Sequence, residues 1–150
     1  MAHAYLLVGP PHVGKMTLAI SIAQALNCLQ EPGEPCGDCS PCTRISQGLH
    51  ADVRVVGIRP SEEDGPTRTV ISHEDVKDVL RQTYLNPYEG RSSVVIFDGA
   101  ESMSEEAANA LLKTLEEPPE HLIILLLTTN EDYLHSTIRS LSYTHLPAHE

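Results

Sequence analysis

Four apolar runs punctuate the chain: AYLLV at Ala4–Val8, VRVVGI at Val53–Ile58, SVVIF at Ser93–Phe97 and LIILLLT at Leu122–Thr128. The third and fourth are nearly continuous rather than alternating, which suits strands covered on both faces, as in a parallel sheet lying between helices. The stretches between the runs carry helical periodicity. Leu18, Ile22, Ala25 and Leu26 form one stripe over Lys15–Asn27, and Val76, Val79 and Leu80 form another over Ser72–Thr83, where Ser72 followed by Asp75 marks a helix start. Ala108, Leu111, Leu112 and Leu115 repeat at i, i+3, i+4 and i+7 over Ser104–Leu115. Ser102 or Ser104 caps that helix, and Pro118 with Pro119 stops it. Strands that alternate with helices predict an α/β fold. Arg59–Thr69 is a polar loop.

Composition narrows this picture. A chain of 150 residues fits one domain. At that size roughly 70% of the unfolded surface can be buried, and the 41% hydrophobic content is enough to fill a core. Ten basic against twenty-one acidic residues leave a net charge of −11, which repels the polyanionic nucleic-acid backbone. Any nucleic-acid role is therefore local or mediated by partners. No apolar run approaches the roughly twenty residues of a membrane span, and the MAHAYLLVGPP start lacks a basic signal-peptide region. These features predict a cytoplasmic protein without a membrane partner, and in a reducing compartment four cysteines point to metal ligation rather than disulfides.

The first apolar run leads into GPPHVGKMT, Gly9–Thr17, and then into the first helical stripe. Strand, glycine-rich loop and helix in this order form the context of a phosphate-binding loop, G-x-x-x-x-G-K followed by Ser or Thr. Gly9, Gly14 and Lys15 are in place. Backbone N–H groups and the helix N-terminus would face a phosphate, and Lys15 would reach the outer phosphates. The hydroxyl that holds Mg2+ is missing, because Met16 follows the lysine and Thr17 arrives one residue late. Neighbouring helical residues point about 100° apart, so Thr17 does not replace it. A thioether is a poor ligand for a hard cation. Asp98, closing the third apolar run, is placed to hold a metal through water, but the next position, Gly99, has no side chain to act as a base. Glu101, three residues past Asp98, is expected on the approach to the following helix; the alternative is that it approaches the site, where with Thr17 it would take up the missing work of an active ATPase. The fourth run ends in Thr128, Thr129 and Asn130; Thr129 or Asn130 would sense a γ-phosphate, or simply finish a strand.

All four cysteines fall within fifteen residues, Cys28, Cys36, Cys39 and Cys42, spaced C-x7-C-x2-C-x2-C among Pro32, Gly33, Pro35, Gly37 and Pro41. Four thiolates at this spacing can wrap a tetrahedral Zn2+ with no open position, a structural site tying down a loop poor in apolar residues. Acidic neighbours (Glu31, Glu34, Asp38) against a single Arg44 weigh against nucleic-acid binding by this knuckle. Among eight scattered histidines only His12, inside the glycine-rich loop, is placed to touch a ligand.

HAYLLVGPPHVGK, the four-cysteine insert, VVIFDGAESMSEEAANALLKTLEEPPEHLIILLLTTN and TIRS together resemble the clamp-loader subunits of bacterial DNA polymerase III, with delta-prime-type chains nearest and gamma/tau-type chains next. NALLKTLEEPP, Asn109–Pro119, and the cysteine insert are the most specific parts, and the resemblance runs along essentially the whole chain. It implies a P-loop NTPase of the AAA+ class: three layers, a five-stranded parallel sheet with Ser142–Pro147 as its last strand, and a zinc module inserted after the phosphate-loop helix. By this resemblance residues 1–150 are an AAA+ core with a zinc-binding insert at about 28–45, and the lid and collar domains of the group are absent from this chain. Gly14 and Lys15 take the Walker A position, Asp98 the Walker B position and Thr129 the sensor position. The candidate cofactor-binding set is Gly9, His12, Val13, Gly14, Lys15, Met16, Thr17, Asp98 and Thr129; the candidate zinc ligands are Cys28, Cys36, Cys39 and Cys42.

The sequence departs from the group in three places. Active members carry Glu where Gly99 stands. The hydroxyl position holds Met16, as often in delta-prime-like chains. The Ser-Arg-Cys motif, whose arginine reaches a neighbouring subunit's ATP, becomes Ser140, Leu141, Ser142, and Arg139 lies two residues from the required place. The cysteine spacing and the resemblance predict a structural Zn2+; the departures predict an ATP/Mg2+ site lacking its metal hydroxyl, and no catalytic residue. The expected role is a mostly non-hydrolysing, stator-like subunit. Its partners would be gamma/tau and delta subunits, with the sliding clamp and primed DNA reached through the assembly. An active gamma/tau-like ATPase and a zinc-dependent nucleic-acid-binding module are the alternatives.

Overall fold

The computed structural model describes residues 4–9, 14–28, 39–48, 52–57, 71–83, 92–129 and, for the backbone, 144–147. Strands β1 (Ala4–Val8), β2 (Val53–Gly57), β3 (Ser93–Asp98), β4 (Leu122–Thr128) and β5 (Thr144–Pro147) form one sheet in the order β2-β3-β4-β1-β5. Every pairing is parallel, with Leu6 opposite Leu126, Phe97 opposite Leu126, and Val8 opposite Thr128. Helices α1 (Lys15–Asn27), α2 (Ser40–Ser46), α3 (His73–Thr83) and α4 (Glu105–Glu116) complete the described elements.

Side chains alternate across the sheet and divide the core in two. Leu6, Val95, Phe97, Ile124 and Leu126 pack in one cluster with Val76, Val79 and Leu80 of α3 and Leu111 and Leu115 of α4. Leu7, Val94, Ile96, Leu125 and Leu127 pack in the other with Ala19 and Ala23 of α1 and Ile45 of α2. The result is three layers, helix–sheet–helix. The two continuous apolar runs became the central strands: β4 is buried along its whole length and β3 up to Asp98. At the sheet edge β2 is only partly covered, and Val55 is 38% exposed there.

The helix starts follow local chemistry. Ser72 and Asp75 form a reciprocal capping box: the Asp75 N–H donates to Ser72 Oγ at 3.2 Å and the Ser72 N–H donates to Asp75 Oδ2 at 3.0 Å. Of the two serines available before α4, Ser104 is the cap, accepting from the Ala107 N–H at 3.0 Å. Ser104→Ala should lower stability by about 1 kcal/mol, read by urea unfolding. The neighbouring Ser102 instead ends a single 3-10 turn, Ala100–Ser102.

Two expectations need correction. The buried line of α1 is Ala19, Ala23 and Asn27, whereas Leu18 is 41% exposed and Ile22 and Leu26 are only partly buried. Apolar residues occupy most sides of this helix, so the stripe that periodicity marked, of which Ile22 and Leu26 do pack against the core, is offset from the fully buried line; alanines let the helix lie close on the sheet. The cysteine segment also contains a helix, α2, where only a tight knuckle was anticipated. Pro41 near its N-terminus fits, since its missing N–H has no intrahelical partner there anyway.

Candidate functional site

The carboxyl ends of β1, β3 and β4 converge beside the N-terminus of α1. Parallel strands place every such end on one side of the sheet, which is where α/β folds form their clefts. A cleft of about 340 Å³ lies there, lined by Gly14, Lys15, Met16 and Thr17 on one side and by Asp98, Gly99, Glu101, Leu127, Thr128 and Thr129 on the other.

Gly14 adopts φ 88°, the left-handed region that only glycine enters without strain, and so turns the chain into α1. Lys15 is the first residue of the helix and donates from Nζ to the Gly9 carbonyl at 2.7 Å. The Gly9 N–H in turn donates to the Thr128 carbonyl at 3.1 Å, extending the β1–β4 ladder by one rung. Asp98 is exposed at the end of β3 and aims at the cleft. Gly99 then turns at φ 83°, and the Ser102 N–H closes the turn on the Gly99 carbonyl at 2.9 Å.

This turn changes the status of Glu101. It sits on the approach to α4, as its place in the chain suggested, and it also lines the cleft. Its Oε2 accepts a hydrogen bond from the Thr128 hydroxyl. Glu101 thus takes the alternative place the sequence left open for it, and Thr128 is a cleft residue the sequence did not single out. The available signal was glycine at 99, which permits a reversal that sends a side chain two residues later back over the strand ends.

Of the candidate set, Gly14, Lys15, Met16, Thr17, Asp98 and Thr129 meet in one cleft, with Gly9 joined to it through Lys15. His12, Val13, Asn130 and the segment 138–142 lie outside the described residues. The lining offers a helix N-terminus and a lysine to a phosphate and the carboxylates of Asp98 and Glu101 to a cation, while Met16 presents sulfur at the position after the lysine where a Mg2+-binding hydroxyl is usual.

A second site sits at the far end of α1. The sulfurs of Cys28, Cys39 and Cys42 all lie within 4.8 Å of one another, with Cys28 and Cys39 3.9 Å apart. A tetrahedron with Zn–S bonds of about 2.3 Å puts sulfurs roughly 3.8 Å apart, so these three can hold a metal such as zinc. Cys36 lies outside the described residues. Hydrogen bonds tie the framework together: Gln24 Nε2 donates to the Cys42 carbonyl at 2.9 Å, joining α1 to α2. Asn27 accepts at Oδ1 from the Ser92 N–H at 3.0 Å, tying the end of α1 to the start of β3.

A family model described as DNA polymerase III, delta subunit, matches residues 1–145. The chain belongs to this family. It is 40% identical over 139 residues to the DNA polymerase III subunit gamma of Buchnera aphidicola subsp. Acyrthosiphon pisum, covering 92% of this chain and 36% of that one. It is 42% identical over 141 residues to the DNA polymerase III subunit tau of Escherichia coli K12, covering 92% and 20%. The family member described here therefore spans about a third or less of these two relatives. A solved gamma subunit-related protein of Thermotoga maritima superposes with a TM-score of 0.65 at 21% identity, over 95% of this chain and 40% of that one. The RuvB Holliday junction branch migration motor of the same organism gives 0.55 at 21% identity, over 98% and 37%. These likenesses define an AAA+-like fold. Among the described residues no helix is long and apolar enough to cross a membrane.

Proposed function

We propose that the chain is the AAA+ core of a delta-prime-type clamp-loader subunit of DNA polymerase III, working in DNA replication as a mostly non-hydrolysing, stator-like part of the sliding-clamp loading complex. Gamma/tau- and delta-type subunits are its partners, and the clamp and primed DNA are engaged through the assembly. Cys28, Cys36, Cys39 and Cys42 hold a structural zinc. A net charge of −11 supports indirect rather than direct contact with DNA.

One observation carries the reading. The cleft keeps the parts that cradle phosphate, Gly14, Lys15 and the α1 N-terminus, while Met16 and Gly99 stand where a metal-binding hydroxyl and a water-polarising carboxylate are needed. Binding parts without chemical parts suit a subunit that holds shape. In a steady-state assay with Mg2+ and ATP the chain should show no turnover above background, and Lys15→Ala should change nothing. Robust hydrolysis that disappears in Lys15→Ala would overturn the reading.

The second reading, an active gamma/tau-like ATPase, is favoured by Glu101 in the cleft and by the similarity to gamma and tau subunits. Glu101→Gln separates the two in the same assay: a motor loses turnover, a stator has none to lose.

A further inference from the structure

Glu101 is fixed more firmly than a surface glutamate. Its turn is anchored at both ends, by Gly99 in the left-handed region and by a bridge to the segment before α3, where the Ile71 N–H donates to the Ser102 carbonyl at 2.8 Å and the Ser104 N–H to the Ile71 carbonyl at 3.0 Å. Thr128, buried at 2% exposure, then binds the carboxylate from the sheet side. The contacts continue across the cleft floor: Thr128 carbonyl to the Gly9 N–H, and Gly9 carbonyl to Lys15 Nζ. The lysine that would receive a phosphate is therefore linked through Gly9 and Thr128 to a carboxylate on the opposite wall.

The charges on that wall are unbalanced. Among the described lining residues Lys15 is the one cation, against Asp98 and Glu101. A Mg2+ ion would offset the two carboxylates, but its usual hydroxyl is replaced by the Met16 thioether. The absence of a side chain at 99 does not leave this wall neutral either, since Glu101 Oε1 lies 3.7 Å from where a Cβ on that residue would begin. Fixed charges in a partly enclosed cleft act on a ligand charge far more strongly than in bulk water.

We propose that Glu101, held by Thr128, is a specificity-determining residue that disfavours the terminal phosphate of a nucleoside triphosphate and makes the cleft selective for a nucleoside diphosphate. The inference rests on the non-hydrolysing reading, in which the site is occupied rather than cycled. It assigns Glu101 a task other than catalysis: one negative charge set against one more phosphoryl group.

The test is calorimetric titration of the chain with ADP and with a non-hydrolysable ATP analogue, each with and without Mg2+. ADP should bind roughly tenfold more tightly than the analogue, in either condition. Glu101→Gln should bring the two affinities to within about threefold by strengthening the analogue and leaving ADP nearly unchanged. Thr128→Val, which keeps the side-chain shape but releases the carboxylate, should fall between them. A merely structural role would move both ligands together, so the ratio is the readout, and circular dichroism confirms that each variant is folded. Equal affinities in the unaltered chain, an unchanged ratio in folded Glu101→Gln, or no binding of either nucleotide would overturn the proposal. Lys15-dependent hydrolysis of Mg2+-ATP would count against the non-hydrolysing reading instead, and leaves the ratio to be judged separately.

Discussion

Zinc should bind the chain one to one, and stripping it, or replacing Cys42 by Ser, should lower stability by at least about 2 kcal/mol, or roughly 4–8 °C in melting temperature for a domain of this size. The three described cysteines sit at joints. Cys28 ends α1, Cys39 is the N-cap residue of α2, and Cys42 lies within α2. A metal held by all three fastens a seven-residue helix to α1, the helix whose N-terminus lies at the cleft. Without it α2 still has anchors that include Ile45 in the core, buried Pro41 and the Gln24 bond to the Cys42 carbonyl. The loss should be local. Amide exchange should quicken through Ser40–Ser46 and the last turn of α1, while β3 and β4, whose burial does not depend on the cluster, stay protected. Elemental analysis finding no zinc in chain purified without chelator, or a melting temperature indifferent to chelation, would remove the metal from this account.

Phe97→Ala should cost about 3–5 kcal/mol in urea unfolding. Phe97 is fully buried, the one phenylalanine in the sequence, and packs on the α3–α4 side with Leu6, Leu111 and Leu126. Its removal leaves a void in a two-sided sheet where neighbours are fixed by parallel pairing and relax little. Against a total stability on the order of 5–15 kcal/mol this is a large part. The same truncation at Val55, 38% exposed on the edge strand, should cost under about 0.5 kcal/mol. Phe97 also precedes Asp98, so the variant should loosen the cleft wall before it unfolds the domain. Near-equal costs at the two positions would show that burial in the central strands is not what holds the fold.

Much of this was legible in the chain itself. The continuous runs at Ser93–Phe97 and Leu122–Thr128 suited strands covered on both faces, and they are such strands. Ser72 with Asp75 announced α3 through a capping box that depends on residues three apart. The glycine-rich loop was readable because strand, loop and helix follow one another without interruption. Where apolar residues surround a helix, as in α1, periodicity loses its direction; burial of Ala19 and Ala23 rather than Leu18 was settled by the sheet beneath them.

By itself the sequence determined the α/β class, the glycine-rich segment between strand and helix with Met16 after its lysine, and the clustering of the cysteines, because each rests on residues adjacent or a few positions apart. Only the tertiary structure decided that Glu101 and Thr128, 27 residues apart, meet beside Asp98 and reach Lys15 through Gly9. The physical reason is that parallel strands bring distant chain segments together at their carboxyl ends, and a left-handed glycine then sets which side chains face inward.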